Sequence, residues 1–175
     1  MGNALVSFAI QRTPQTGKTD VSPDAVTSEE TARIIEANKL SAAKTTNAWL
    51  AETKIESVSV RSDDGLQLKG SVINVDEESH RWVIVIHGYT LNKEAMNDYA
   101  YYYAQRGYHL LLPDLRAHGE SEGEYFGMGW LDRKDIPKWI NLIISRDPEA
   151  EIILHGVSMG AAAAMMTAGK NYQKM

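Results

Sequence analysis

The 175-residue sequence predicts an α/β fold, a β-hairpin that leads into a parallel β-α-β-α-β-α run. Two observations carry that reading. The continuous apolar run Trp82–Ile86 suits a strand covered on both faces, and Tyr108–Leu112 and Ile152–Leu154 read as two more buried strands. The segments between and after them read as helices joined by short connections, the pattern of right-handed crossovers over a parallel sheet.

The elements follow in order. Residues 11–28 are polar, with Pro14, Gly17 and Pro23, and read as a loop. Gly17-Lys18-Thr19 imitates the end of a phosphate loop, but Arg12 stands where its first glycine belongs and no strand precedes it. Thr27-Ser28-Glu29-Glu30 reads as a capping box, with Thr27 as N-cap. The alanine-rich stretch to about Leu50 then reads as one helix or two, with Ala32, Ile35, Leu40, Ala43 and Trp49 available for a buried face packed on a sheet. Residues 1–52 are thus an N-terminal loop and helical segment, and 53–175 an α/β core.

In the core, Val58 and Val60 alternate with serines, Asp64-Gly65 supplies a turn, and Leu66, Leu68 and Val72 alternate again, which is a hairpin. Lys93–Gln105 is read as a helix stopped by Gly107, with Pro113 ending the next strand. Trp130–Ser145 is read as a helix in which Pro137 marks a kink or a late start. Gly160–Ala168 is a helix of small residues.

Composition narrows the function. Eighteen Lys+Arg against twenty-three Asp+Glu give a net charge of −5, which argues against nucleic-acid binding. The absence of cysteine excludes disulfides, thiolate zinc sites and a cysteine nucleophile. No clustered metal-ligand or cofactor motif occurs, so the expectation is no metal and no cofactor. No run of about 18 apolar residues is present to span a membrane, and Met1–Ile10 lack the features of a signal peptide. Met1-Gly2 would suit myristoylation only with Ser or Thr at position 6, where Val6 stands.

Three elements carry chemistry. Gly156-Val157-Ser158-Met159-Gly160 matches G-x-S-x-G between a buried strand and a helix. A serine on such a tight turn is lifted out at the carboxyl edge of the sheet, where open α/β sheets bind ligands. Glycines two residues to either side avoid collisions with the turn. The competing reading makes Ser158 an ordinary N-cap. His87-Gly88-Tyr89 follows the strand Trp82–Ile86. Acyl transfer needs two N–H donors where the oxyanion develops, and Tyr89 and Met159 are the candidate pair. His87 is also a candidate base by residue type alone. Finally, Pro113–Gly123 holds Asp114, Arg116 and His118, which as a polar cluster need internal partners. A structural loop and a catalytic His118 are both open.

These three elements, in this order and spacing, resemble the α/β-hydrolase superfamily. In wording (Val85–Thr90, Pro113–Gly119, His155–Gly160) they are similar to a bacterial branch of serine esterase- and peptidase-like hydrolases, often membrane-anchored or exported. The resemblance covers about residues 53–170. It implies a partial α/β-hydrolase fold, without the C-terminal strands and helices. It also implies Ser158 as nucleophile, the Tyr89 and Met159 amides as oxyanion hole, and a non-catalytic role for His87 and the Asp114–Gly119 loop. The implied substrate is a small-molecule ester or a peptide-like amide, cleaved through an acyl-serine intermediate.

The superfamily order is serine, acid, histidine. Met159–Met175 contain no Asp, Glu or His. Three expectations answer this departure. The chain is the N-terminal part of a longer hydrolase and inactive as it stands; or His87, Asp114 and Ser158 form a rearranged triad; or the chain is a non-catalytic remnant that binds a ligand or a partner. A sheet ending at Ile152–Leu154 would leave an apolar edge, and the chain is expected to self-associate there.

Overall fold

The structure, a computed structural model, describes residues 29–169. The loop read over 11–28, the Thr27 cap and the N-terminal sequence signals lie outside the described residues. Two compact units are present, one ending at Thr53 and one beginning at Lys54.

Among the described residues the first unit is one helix, α1 (Glu29–Glu52). Leu40 is 64% exposed, Ile35, Ala32 and Ala43 are also exposed, and Trp49 is half-buried. The helix needs no apolar stripe, because alanines and long polar residues have high helix propensity and Arg33 pairs with Glu29 one turn away at 2.6 Å.

The α/β unit contains β1 (Glu56–Arg61), β2 (Gln67–Ile73), β3 (Arg81–Ile86), a 3-10 turn (Lys93–Met96), α2 (Asn97–Ala104), β4 (His109–Pro113), α3 (Asp132–Arg146), β5 (Glu151–Gly156) and α4 (Met159–Ala168). The five strands form one sheet in the order β1-β2-β4-β3-β5. β1 and β2 are the expected hairpin, with Val58 opposite Gly70 and Val60 opposite Leu68. β2 runs antiparallel to β4, whereas β3 lies parallel to both β4 and β5. β3 lies inside the sheet, between β4 and β5, and is buried from Trp82 to Ile86, as an uninterrupted apolar run requires.

Two boundaries differ from expectation. Pro113 belongs to β4, opposite Gly70, and the ladder continues past it because Asp114 N–H donates to Lys69 O at 2.9 Å. The helix α3 begins at Asp132 and runs through Pro137, which falls in its second turn. There the proline forgoes only one helical hydrogen bond.

Even-numbered residues of β3 (Trp82, Ile84, Ile86) join Ile136, Trp139 and Ile143 of α3 and Met159, Ala163 and Ala164 of α4 in one apolar cluster. Strand alternation turns Val83 and Val85 to the other face, where α2 packs on β3 and β4. The sheet therefore has helices on both sides and ends at β5, whose Ile153 is 41% exposed.

Trp139 is fully buried beside Gly70, so Trp139→Ala is expected to lower stability by about 3–5 kcal/mol in urea denaturation followed by circular dichroism. Leu40→Ala, at an exposed site, should change it by less than about 0.5 kcal/mol.

Candidate active site

Between the end of β5 and the start of α4 only Val157 and Ser158 make the turn. Val157 N–H donates to Ile86 O at 3.0 Å, which ties the turn to the end of β3. Ser158 has φ 52° and ψ −114°, a conformation that costs a non-glycine residue on the order of 1–3 kcal/mol. Its side chain is exposed and makes no cap bond to α4. The N-cap reading therefore describes the position of Ser158 but not the use of its hydroxyl.

Steric contact accounts for both flanking glycines. A Cβ on Gly160 would overlap the carbonyl oxygens of Ile86 and His87, and one on Gly156 would overlap the carbonyl of Gly160. The first turn of α4 thus lies directly against the end of β3. Gly160 N–H is taken by Val157 O at 2.9 Å and Ala161 N–H by Ser158 O at 3.0 Å. Met159 N–H, ahead of these, stands at the amino end of the helix, where the backbone partial charge is positive.

The loop after β3 meets this turn. The open side of Gly88, where a Cβ would point, lies 3.3 Å from Val157 O and 3.5 Å from Ser158 Cβ, so Tyr89 is the next residue along from a contact with Ser158. His87 is fully buried. Leu115 N–H donates to its Nε2 at 3.0 Å, and its Nδ1 then carries the hydrogen donated to Gly88 O at 2.8 Å. Burial holds the pKa of this imidazole below its ordinary value. Both ring nitrogens therefore serve to fix the two loops.

Asp114, also fully buried, accepts from Lys93 N–H (2.8 Å), Lys93 Nζ (2.9 Å) and Glu120 N–H (3.0 Å). Burial works against the Lys93 ammonium, but its bonds to Asp114 and Glu120 outweigh this and raise its pKa. Arg116 makes a two-pronged bond to Asp135 (2.7 and 2.9 Å) and another to Asp64 (2.9 and 3.2 Å). The Arg116 guanidinium holds the Asp64 carboxyl down at about 2. His118 is buried, with Nδ1 2.9 Å from Arg116 O. Its ring packs on Phe126 at 4.3 Å and His87 at 4.9 Å, and Phe126 meets Tyr89 edge-on at 5.1 Å.

The structure thus brings the Ser158 turn and the Gly88-Tyr89 loop together, but it does not assemble a His87–Asp114–Ser158 relay. The carboxylate of Asp114 is bonded to Lys93 and Glu120, and His87 to Leu115 and Gly88. Among the described residues no His, Asp or Glu is recorded in a hydrogen bond with the Ser158 hydroxyl, and no cluster of three His, Cys, Asp or Glu could hold a metal ion. Sequence reasoning missed Lys93, Asp64 and Asp135 as partners of the loop. It also missed Asp132, a fully buried carboxylate that accepts from Gly129 N–H at 2.7 Å and has no recorded hydrogen-bond partner for Oδ1. Burial raises its pKa to about 6.

Comparison with known proteins bears on the fold and the family. The family described as serine aminopeptidase, S33, matches residues 77–175. The Pyrococcus furiosus esterase Pf2001 is similar in structure, with 29% sequence identity and a TM-score of 0.64 over 69% of this chain and 49% of that one. XC6422 of Xanthomonas campestris, described as a serine hydrolase without lid, shares the fold at 18% identity and a TM-score of 0.59, over 67% of this chain and 56% of that one. A Bacillus subtilis protein, YqkD, is 29% identical over 106 residues, 60% of this chain and 34% of its own length. The chain thus spans about half the length of the Pyrococcus esterase and about a third of the Bacillus protein.

Two outcomes follow from the contacts. Gly160→Ala should destabilise the fold by at least about 2 kcal/mol in denaturant titration, because the methyl meets backbone and not a movable side chain. A raised carboxyl pKa means that the ionised form is the costly one in the folded state. The cost of Asp132 is absent below its unfolded value near 3.8, grows as pH rises through about 6, and is complete above that. Asp132→Asn does not titrate, so its stability relative to wild type should increase by on the order of 2–3 kcal/mol between pH 4 and 7 and then level off.

Proposed function

This chain belongs to the serine aminopeptidase S33 family of hydrolases, and on that footing we propose that Ser158 is the nucleophile of an acyl-transfer site that cleaves carboxylic esters, and peptide-like amides less readily. The observation that carries the reading is the backbone of Ser158. A positive φ is held there by two glycine contacts, and the hydroxyl stands exposed at the carboxyl end of the sheet. Strain of this kind persists where the surrounding structure over-determines it, and such positions cluster at functional sites.

In the proposed reaction Ser158 Oγ attacks the substrate carbonyl carbon and gives up its proton to a base. The carbonyl oxygen takes the developing charge and receives the Met159 and Tyr89 amides. Collapse expels the alcohol and leaves an acyl-serine, which water then hydrolyses. The helix N-terminus at Met159 supports this assignment, as does the narrow space between Gly88 and the Ser158 turn, where a side chain on Gly88 would meet Val157 O and Ser158 Cβ. The Pyrococcus relative is an esterase, which favours the ester over the amide.

Among the described residues no base is hydrogen-bonded to Ser158. Met159–Met175 contain neither acid nor histidine, and the buried histidines of the two loops are bonded elsewhere. That observation favours a second reading, a non-catalytic α/β-hydrolase remnant that binds a ligand or a partner at the same turn.

A p-nitrophenyl ester assay separates the two. The 175-residue chain should show little turnover. A form extended at its C-terminus so as to supply an acid and a histidine should be active, and Ser158→Ala in that form should lower kcat/KM by a factor of at least about 10³. Equal activity of the extended Ser158→Ala form would remove Ser158 from the mechanism. An inactive extended form that still binds the ester would leave the remnant reading in its place.

A further inference from the structure

A second tight loop displays one methionine. Between β4 and α3 the chain runs Gly127-Met128-Gly129. Met128 has φ 49° and Gly129 φ 81°, two successive residues in the left-handed region, which methionine seldom enters. Contacts on both sides hold the loop. A Cβ on Gly127 would overlap the carboxylate of Asp132, and that carboxylate accepts the Gly129 N–H at 2.7 Å. Leu131 N–H closes the loop onto Gly127 O at 3.1 Å. A Cβ on Gly129 would come within 3.2 Å of Ala162 Cβ in α4. Phe126, Gly127, Gly129 and Asp132 are all buried, yet Met128 among them is 50% exposed.

The loop reaches the Ser158 turn by two routes. Ala162 lies one helical turn beyond Ser158, and its N–H donates to Ser158 O at 3.1 Å, so Gly129 packs on the face of α4 that begins at Ser158. On the other side Phe126 meets the Tyr89 ring edge-on at 5.1 Å. Tyr89 in turn follows Gly88, where a Cβ would lie 3.5 Å from Ser158 Cβ. These neighbours close a ring that runs from Ser158 through Gly88, Tyr89 and Phe126 to Gly129, and back along α4. The ring is uncharged: no Asp, Glu, Lys or Arg occurs from Gly88 to Asn92 or from Tyr125 to Leu131, and the carboxylate of Asp132 is fully buried.

On the reading of Ser158 as nucleophile, on which this inference rests, we propose that Met128 touches the substrate and selects esters that carry an uncharged alkyl chain. Glycine or asparagine would take up the left-handed backbone at lower cost. What methionine adds at that place is apolar surface, on an unbranched side chain that adapts to chains of different shape. A carboxylate or ammonium brought against the same surface loses water and gains no partner. The alkyl chain can belong to the acyl or to the alcohol part of the ester, since both offer the same chemistry to a thioether.

The test is a binding titration by nuclear magnetic resonance on the full chain carrying Ser158→Ala, which leaves the ester intact. The methionine methyl groups are isotope-labelled, and Met128→Leu assigns the Met128 signal among the seven methionines. Methyl pentanoate and butyl acetate are isomers with the chain on the acyl and on the alcohol side, and the tighter binder names the side that Met128 meets. That ester should shift the Met128 signal and bind at least about fivefold more tightly than methyl acetate. Its counterpart ending in a carboxylate should bind at least about fivefold more weakly. Met128→Lys should reverse this preference, with an unchanged circular dichroism spectrum because the side chain is exposed. Binding that leaves the Met128 signal in place, affinity independent of chain length, equal affinity for the carboxylate-ended ester, or no binding of any ester by the folded chain would each overturn the proposal. None of these readouts needs turnover. An extended chain that binds the alkyl ester through Met128 but does not cleave it would overturn the nucleophile reading alone.

Discussion

The structure depends on one close approach, that of Gly160 in α4 to the carbonyl oxygens of Ile86 and His87 at the end of β3. Backbone meets backbone there, with no side chain to give way. Because α4 sits so low on the sheet, the chain has two residues in which to turn from β5 into the helix. Ser158 absorbs the turn in an unfavourable backbone state, and its side chain is left outside the packing. An alanine-rich helix is part of the same constraint, since Ala163 and Ala164 let α4 stay close to the core along its length.

Behind that turn lies a second layer made of charges. Asp114 and Arg116, both buried, each collect partners from distant parts of the chain. Neither is a strong source of net stability, since removing such groups from water costs much of what their pairing returns. Their effect is geometric. Asp114 fixes the 3-10 turn after β3 through Lys93, and His87 fixes the start of the Asp114 loop through Leu115. The loops beside Ser158 are thereby cross-braced to one another.

Much of this architecture was legible from residues alone, for physical reasons. A strand covered on both faces must be apolar throughout, so β3 announces itself as a run, whereas the short run Ile152–Leu154 was misleading, because Ile152 and Leu154 are half-buried and Ile153 is exposed. A serine turn pressed against a sheet must have glycines at fixed offsets, so Gly156 and Gly160 mark it. Pro113 was misleading because a proline can close a strand from within when the next amide takes over the ladder. The pairings of Lys93 with Asp114 and of Arg116 with Asp64 and Asp135 span 21, 52 and 19 residues, and charges at such separations carry no period. The exposed state of Ser158 follows from the turn, while the bonds that occupy His87 depend on a neighbouring loop and could be seen only in three dimensions.

Arg116 has one further consequence. Its guanidinium, 5% exposed, bridges the hairpin turn at Asp64 and the first turn of α3 at Asp135. If the hairpin frayed away, half of its hydrogen bonds would be lost in a place water reaches poorly. If α3 loosened, the other half would go. The guanidinium therefore acts as a shared latch between two peripheral elements that would otherwise open separately, and it makes their local unfolding a joint event with the free energy of the larger unit.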